Sequence, residues 1–259
     1  MQFRLKQVNY TLKYKCLPEE FDGFKIALIS DLHDEEFPFG YNEAVVKKIK
    51  DNSPDAIMLA GDMHHTKIDN NRYIGFLERL TEIAPVFFAE GNHDCESENK
   101  KFKGYEEYKQ AMKDLGVLNL RGDGARIFAQ NEEHYINISG ASWDDRETVP
   151  PNYEEGAFNI FLMYNPFSFD TVPVKPELML SGHIHGGFLR LPNGQGVFAP
   201  GMGVRKRDRF EPQYFFPKYT YGVYGKSKKL VVTSGLGSSV VPFRVLSPEV
   251  VIITLRHSH

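Results

Sequence analysis

The chain is poor in cysteine, with Cys16 and Cys95 the only two in 259 residues. Two cysteines build no disulfide framework, which excludes a stapled secreted mini-domain and favours a reducing compartment. Charge of one sign is also missing: 31 Lys and Arg stand against 34 Asp and Glu, a net charge of −3. A general nucleic-acid binder needs a basic surface to displace counterions from phosphates, so the balance argues against that class. Long apolar runs are absent too. The first twenty residues, MQFRLKQVNYTLKYKCLPEE, carry a charge every few positions and no stretch of signal-peptide or anchor length. A cytoplasmic protein is expected. One basic cluster, Arg205, Lys206, Arg207 and Arg209, reads first as a solvated loop and otherwise as a contact for an anionic substrate or a membrane surface. No repeat, low-complexity tract or Gly/Ser/Pro linker divides the sequence, so one domain over 1–259 is expected, with its motif-bearing core at about 21–255.

What is present is an ordinary globular composition, 41% hydrophobic and 25% charged, in a chain long enough to bury a core without staples. It also holds nine histidines, several beside Asp, Asn or Gly. The first half alternates two textures. Short apolar runs at 26–30, 55–60 and 86–89 read as buried strands. Segments 42–50 (Val45, Val46, Ile49), 71–83 (Ile74, Leu77, Leu80, Ile83) and 104–115 read as helices, the last ended by Gly116. That β-α-β-α-β order implies parallel strands with right-handed crossovers. After about residue 117 helix signals nearly vanish, and short strands are expected at 135–139, 159–164, 178–181, 188–191, 221–224, 230–233 and 250–255. An α/β half feeding a strand-rich half suggests two stacked sheets with helices covering at least the outer face of the first.

Polar residues cluster just after the expected strands: Asp31 and His33 after the first, Gly61-Asp62 after the second, Gly91-Asn92-His93-Asp94 after the third, and Gly182-His183-Ile184-His185 after 178–181. Loops beyond the carboxyl ends of parallel strands converge on one edge, so four distant segments can face one point. Imidazole with carboxylate suits Mn, Fe or Zn, whereas an all-oxygen set would suggest Mg or Ca. Asp-x-His in an extended chain puts both side chains on one side, and His183-x-His185 has the same spacing. A carboxylate such as Asp62 can bridge two ions that clamp a phosphoryl group. Singly, D-x-H is common by chance and GD is a turn signal. In this order, each at a strand end, chance is a poor explanation.

These motifs resemble the calcineurin-like metallophosphoesterase superfamily, whose pattern runs D-x-H, GD, GNH-D/E, a lone His, then GH-x-H. The resemblance continues through LMLSGHIHGGFLRLP and YGVYGKSKKLVVTSGLGSSVVPFRVLSPEVVIITL. Those stretches look like a bacterial subgroup of phosphohydrolases related to UDP-2,3-diacylglucosamine pyrophosphatases. The resemblance implies a four-layer α-β-β-α sandwich and two transition-metal ions, Mn, Fe or Zn. Asp31, His33 and His185 would hold the first ion, Asp62 would bridge, and Asn92 and His183 would hold the second. A metal-bridged hydroxide would attack phosphorus in line, in a phosphodiester, pyrophosphate or phosphomonoester. His93 would steady the phosphoryl oxygens or protonate the leaving group, and Asp94 would orient His93 or bond nearby backbone.

One position departs from the family. Where its members carry His-Asn-Pro, with the His a second-metal ligand, this chain has Tyr164-Asn165-Pro166. A phenol must lose a proton of pKa about 10 to bind a cation well, so three readings stand: Tyr164 near a weakened second site, Tyr164 bound to an oxidised ion, or a misaligned motif. The expected substrate is a phosphorylated small molecule or a lipid-linked one. Rival readings are a protein-interaction module on the same fold with a compromised metal site, as in a retromer subunit similar to this superfamily, and a nuclease of the superfamily. Lesser candidates are His64 and His65, either lining the cleft or on a solvated loop, Cys95 as a plain buried thiol, Asp144 and Asp145 in an exposed turn, and His257 and His259 as a frayed end without a role.

Overall fold

The structure is a computed structural model that describes residues 4–33, 41–64, 70–99, 105–143, 149–187, 191, 196–199, 215–237 and 246–259. Among them, two six-stranded sheets form. The first has the order β1-β12-β2-β3-β4-β5, from Lys6–Tyr14 (β1), Glu249–His257 (β12), Lys25–Ile29 (β2), Ala56–Ala60 (β3), Val86–Ala89 (β4) and Leu118–Asn119 (β5). The second has the order β10-β11-β9-β8-β7-β6, from Gly222–Gly225 (β10), Lys229–Val232 (β11), Leu178–Ser181 (β9), Phe158–Met163 (β8), Tyr135–Ala141 (β7) and Gly124–Phe128 (β6). Strands β2 to β5 run parallel, and so do β7, β8, β9 and β11. Both sheets are mixed, since β12 is antiparallel to β2, β6 to β7, and β10 to β11.

Period-two alternation explains why the central strands are apolar throughout. Ile26 and Leu28 of β2, Met58 of β3 and Phe87 of β4 face Ile138, Ile160, Leu162 and Leu180 across the gap between the sheets. Their neighbours Ala27, Ile29, Ile57, Leu59 and Phe88 face the helices on the other side. Each residue of such a strand is therefore buried, and each large side chain contributes about 1.5–3 kcal/mol of burial. Helices α1 (Tyr41–Asn52), α2 (Asn70–Thr81) and α4 (Tyr105–Asp114) cover that outer face with Val45 and Ile49, with Phe76, Leu77 and Leu80, and with Tyr108 and Met112. Spacings of three and four residues place each set on one helical face. The α2 stripe is led by Tyr73 and Phe76, with Ile74 only partly buried, so the aromatic side chains displace part of the expected aliphatic face. On the outer face of the second sheet, the described cover is the short helix α5 (Ser168–Thr171) with Val172 and Tyr219, packed on Phe161, Met179 and Val232.

Six elements fall outside the expected segments: β1, β6, the two-residue β5, helices α3 and α5, and the 3-10 turn Glu19–Phe21. In β1, Val8, Tyr10, Leu12 and Tyr14 alternate with polar residues and lie against the inter-sheet core, as befits an edge strand with one wet face. β6 forms the opposite edge of the second sheet. Helix α3 (Asn92–Asn99, NHDCESEN) has no apolar stripe at all, so its periodicity could not announce it. The strand expected at 188–191 falls almost wholly outside the described residues.

Candidate metal centre

The site lies where parallel strands of both sheets end. β2 delivers Asp31 and His33, β3 delivers Gly61-Asp62, and β4 runs through Gly91 into α3 with Asn92, His93 and Asp94 in its first turn. From the facing sheet, β8 delivers Tyr164 and β9 delivers His183 and His185. Backbone bonds stitch these loops together: Asp31 N–H donates to Gly61 O (2.9 Å), His33 N–H to Asp62 O (3.0 Å) and Gly182 N–H to Tyr164 O (3.2 Å). Asp31, His33, Asp62, His183 and His185 all adopt positive φ, between 49° and 74°. A left-handed residue other than Gly costs about 1–2 kcal/mol, and five at one centre mark a backbone held in place for a purpose. Gly61 (φ +83°) is required sterically as well, because a Cβ there would stand 2.5 Å from the Tyr164 ring.

The side chains form two overlapping donor groups. Asp31, His33 and His185 offer one ligand atom each, all within 4.8 Å of one another, and His33, Asp62 and His93 do the same. His185 Nε2 is 3.4 Å from Asp31 Oδ1, and His33 Nε2 is 3.9 Å from Asp31 Oδ1 and 4.0 Å from Asp62 Oδ2. Donor atoms sharing one ion at about 2.0–2.2 Å stand roughly 3–4 Å apart, so Asp31 with His33 and His185, and Asp62 with His33, have the spacing of ligands to a transition-metal ion. Nearby, Asn92 Oδ1 is shielded from solvent with no hydrogen-bond partner among the described residues, an acceptor placed for a cation. The electrostatics agree. Burial, then the negative charge of Asp94 and Asp31, holds the Asp62 carboxyl well above the usual carboxylate range, a situation that bound cations relieve.

Tyr164 is fully buried at the heart of this group. Its hydroxyl donates to Asp31 Oδ1 at 2.6 Å and makes a still closer contact with Asp62 Oδ2. The loop following β8 therefore meets the loops that carry Asp31 and Asp62. Burial, with Asp31 and Asp62 beside it, pushes the phenol above its ordinary range. The His183 ring packs 4.8 Å from Tyr164 and 4.7 Å from Trp143, while its backbone N–H donates to Asp31 Oδ2 at 3.2 Å.

His93 is half-buried, its ring edge-on to His33 at 5.2 Å and its backbone N–H donating to Asp62 Oδ1 at 2.8 Å. Asp94 is fully buried and accepts from the backbone N–H groups of Asp62 (2.8 Å), Gly91 (2.8 Å) and His64 (3.3 Å). It thus ties the GD loop to the GNHD loop. Burial pushes its carboxyl up to about 8, with Glu90 adding to the shift and the N–H donors opposing it. His64 is neither solvated nor on an open surface: it is buried, with its ring 4.8 Å from Tyr108. Cys95 is a buried thiol outside any disulfide, 3.0 Å from Ser142 Oγ. His65, Asp144, Asp145, Arg205, Lys206, Arg207 and Arg209 lie outside the described residues.

Sequence reasoning missed the loop after β11. Leu236 N–H donates to Ser30 O (2.9 Å) and Gly237 N–H to Asp31 O (2.6 Å), so this loop braces Asp31 from the side opposite Asp62. The Gly-Leu-Gly at 235–237, directly after a strand, was the available signal. Trp143 against His183 left no such trace.

A buried set of Asp, His and Asn donors at the ends of parallel strands from two facing sheets defines a metal-centred hydrolase class. The chain belongs to the calcineurin-like phosphoesterase family, whose model matches residues 24–187. It is 28% identical to the uncharacterized metallophosphoesterase YkuE of Bacillus subtilis, over 98% of this chain and 87% of that one. It is 30% identical to the phosphodiesterase YaeI of Escherichia coli, over 68% of this chain and 66% of that one. Among solved structures, the phosphopantetheinyl hydrolase PptH of Mycobacterium tuberculosis aligns over 67% of this chain and 87% of its own, at 12% identity and a TM-score of 0.44. The family supports phosphoester hydrolysis and the use of divalent metals. No helix among the described residues is long and apolar enough to cross a membrane.

Proposed function

We propose that this protein hydrolyses a phosphodiester bond, foremost in a phosphorylated small molecule or a lipid-linked one, with pyrophosphate and phosphomonoester bonds as the alternatives. The observation that carries this is the convergence of Asp31, His33 and His185 from loops of both sheets, with Asp62 beside His33. The name of the Escherichia coli relative supports the diester among the three bonds. Asp31, His33 and His185 would hold one ion, Asp62 would reach both, and Asn92 and His183 would serve the second. Ions held there would supply charge for the phosphoryl oxygens and acidify water towards neutral pH.

The remaining work belongs to the chain. Asp94 fixes the spacing of the Asp62 and Asn92 loops through three backbone N–H groups. His93, tied through its backbone to Asp62, hydrogen-bonds the phosphoryl group or gives a proton to the leaving oxygen. Tyr164 keeps its one proton and shares it between the two aspartates, which weakens the second ion's hold relative to a His at this place. Turnover of bis(p-nitrophenyl) phosphate in the presence of Mn is the expected result. Folded protein inert with each of Mn, Zn, Fe and Co would overturn the enzyme reading and leave the interaction module, which Tyr164 alone favours.

A further inference from the structure

A third group of metal-ligating side chains lies away from this centre. Glu19, His257 and His259 each offer one donor atom, all within 4.8 Å of one another. We propose that these three residues form a separate zinc site that clips the end of β12 to the turn before β2. β12 runs antiparallel to β2, and Thr254 pairs with Lys25 at the start of that strand. His257 therefore sits at the opposite end of the sheet from Asp31, and the two sites share no residue.

The local structure prepares the donors. His257 and His259 are two apart at the end of an extended strand, which puts both rings on one side, with centroids 5.3 Å apart. His257 is held rather than frayed: its N–H donates to the Asp22 side chain at Oδ1 (2.9 Å), and the following Ser258 N–H donates to Tyr14 O (3.1 Å). His257 Nδ1 stands 2.6 Å from the carbonyl oxygen of Leu17. A carbonyl only accepts, so Nδ1 is the donor, and in the neutral ring Nε2 is the nitrogen left to bind a metal, an arrangement typical of metal-binding histidines. That Nε2 is 4.0 Å from Glu19 Oε1, too far for a hydrogen bond.

Two ligands on one zinc at about 2.0–2.1 Å stand roughly 3.3 Å apart in a tetrahedron, so a small rotamer change of exposed Glu19 closes the gap. Glu19 rides on a 3-10 turn, Glu19–Phe21, anchored by the buried side chains of Leu17 and Phe21. The neighbouring acids are engaged elsewhere: Glu20 with His134 (2.9 Å) and Asp22 with Arg256 (2.9 Å). Two imidazoles and one carboxylate select Zn over Mg or Ca, with water filling the open position.

The test strips the full chain with a chelator and titrates Zn2+ against a chromophoric zinc indicator. His259→Ala and Glu19→Gln, both at exposed positions, are each expected to lose one zinc equivalent per chain relative to wild type. In a His33→Ala background, which damages only the first centre, adding His259→Ala is expected to remove one further equivalent. Equal zinc content in wild type and in both surface variants would overturn the proposal, as would equal content in His33→Ala with and without His259→Ala. Zinc is counted whether or not the protein turns over a phosphodiester, so failure of this site and failure of the phosphoesterase reading remain separate results.

Discussion

At the scale of the residue, Tyr164 stands fully buried at the heart of the donor group. Its hydroxyl lies between Asp31 and Asp62, where a ligand imidazole is otherwise expected. Replacing it by an imidazole restores a nitrogen donor without a proton to lose, so Tyr164→His is expected to raise the metal content per chain after equilibration with limiting Mn. Elemental analysis checks this, and unchanged stoichiometry would refute the role given to the phenol. For His93, the role proposed on the substrate predicts that His93→Ala lowers kcat by about 10²–10⁴ with metal content preserved. Loss of metal in that variant would make His93 a ligand instead. Asp94→Ala leaves three backbone N–H groups without their acceptor, at about 1–3 kcal/mol for each that stays unpaired. Urea unfolding is expected to show a loss of about 3 kcal/mol or more, with Asp94→Asn, which keeps one acceptor oxygen, losing less.

At the scale of the element, the site depends on turns that ordinary residues avoid. The ligand-bearing loops carry their functional residues at positive φ, and the glycines between them admit the opposite sheet. Gly61→Ala adds a left-handed penalty to a clash with the Tyr164 ring, and a destabilisation of about 2–5 kcal/mol is expected from the two together, measured by urea midpoint. The motifs themselves were legible because each follows a strand whose apolar run is unmistakable. Helix α3 was not, since its residues are recruited by the site and not by a core, so no hydrophobic period marks it. β1 was overlooked for a different reason: its half-buried alternation is interrupted by charges on the wet face.

At the scale of the whole molecule, two sheets share one buried layer and bring their strand ends to a common edge. Asp31 and Asp62 come from one sheet, His183 and His185 from the other, so ions held between them bind the folded state and not the unfolded chain. Removal of metal by a chelator is therefore expected to lower the melting temperature. Mn2+ returned at about 100 times its dissociation constant should add about 2.7 kcal/mol, or roughly 5–10 °C for a chain of this size. A melting temperature indifferent to both treatments would mean that the ions do not join the sheets.

The sequence by itself determined the strand-and-helix texture, the four ligand motifs and the anomaly at Tyr164, because these depend on residue type and on spacing along the chain. Tertiary structure alone decided that Tyr164 touches both aspartates, that Asp94 ties two loops together, that the 235–237 loop braces Asp31, and that His257 meets Glu19. Each of those contacts joins residues on different strands or loops, and their distances follow from how the sheets pair and stack. Periodicity reports which face of its own strand or helix a residue occupies, but not which distant residue faces it.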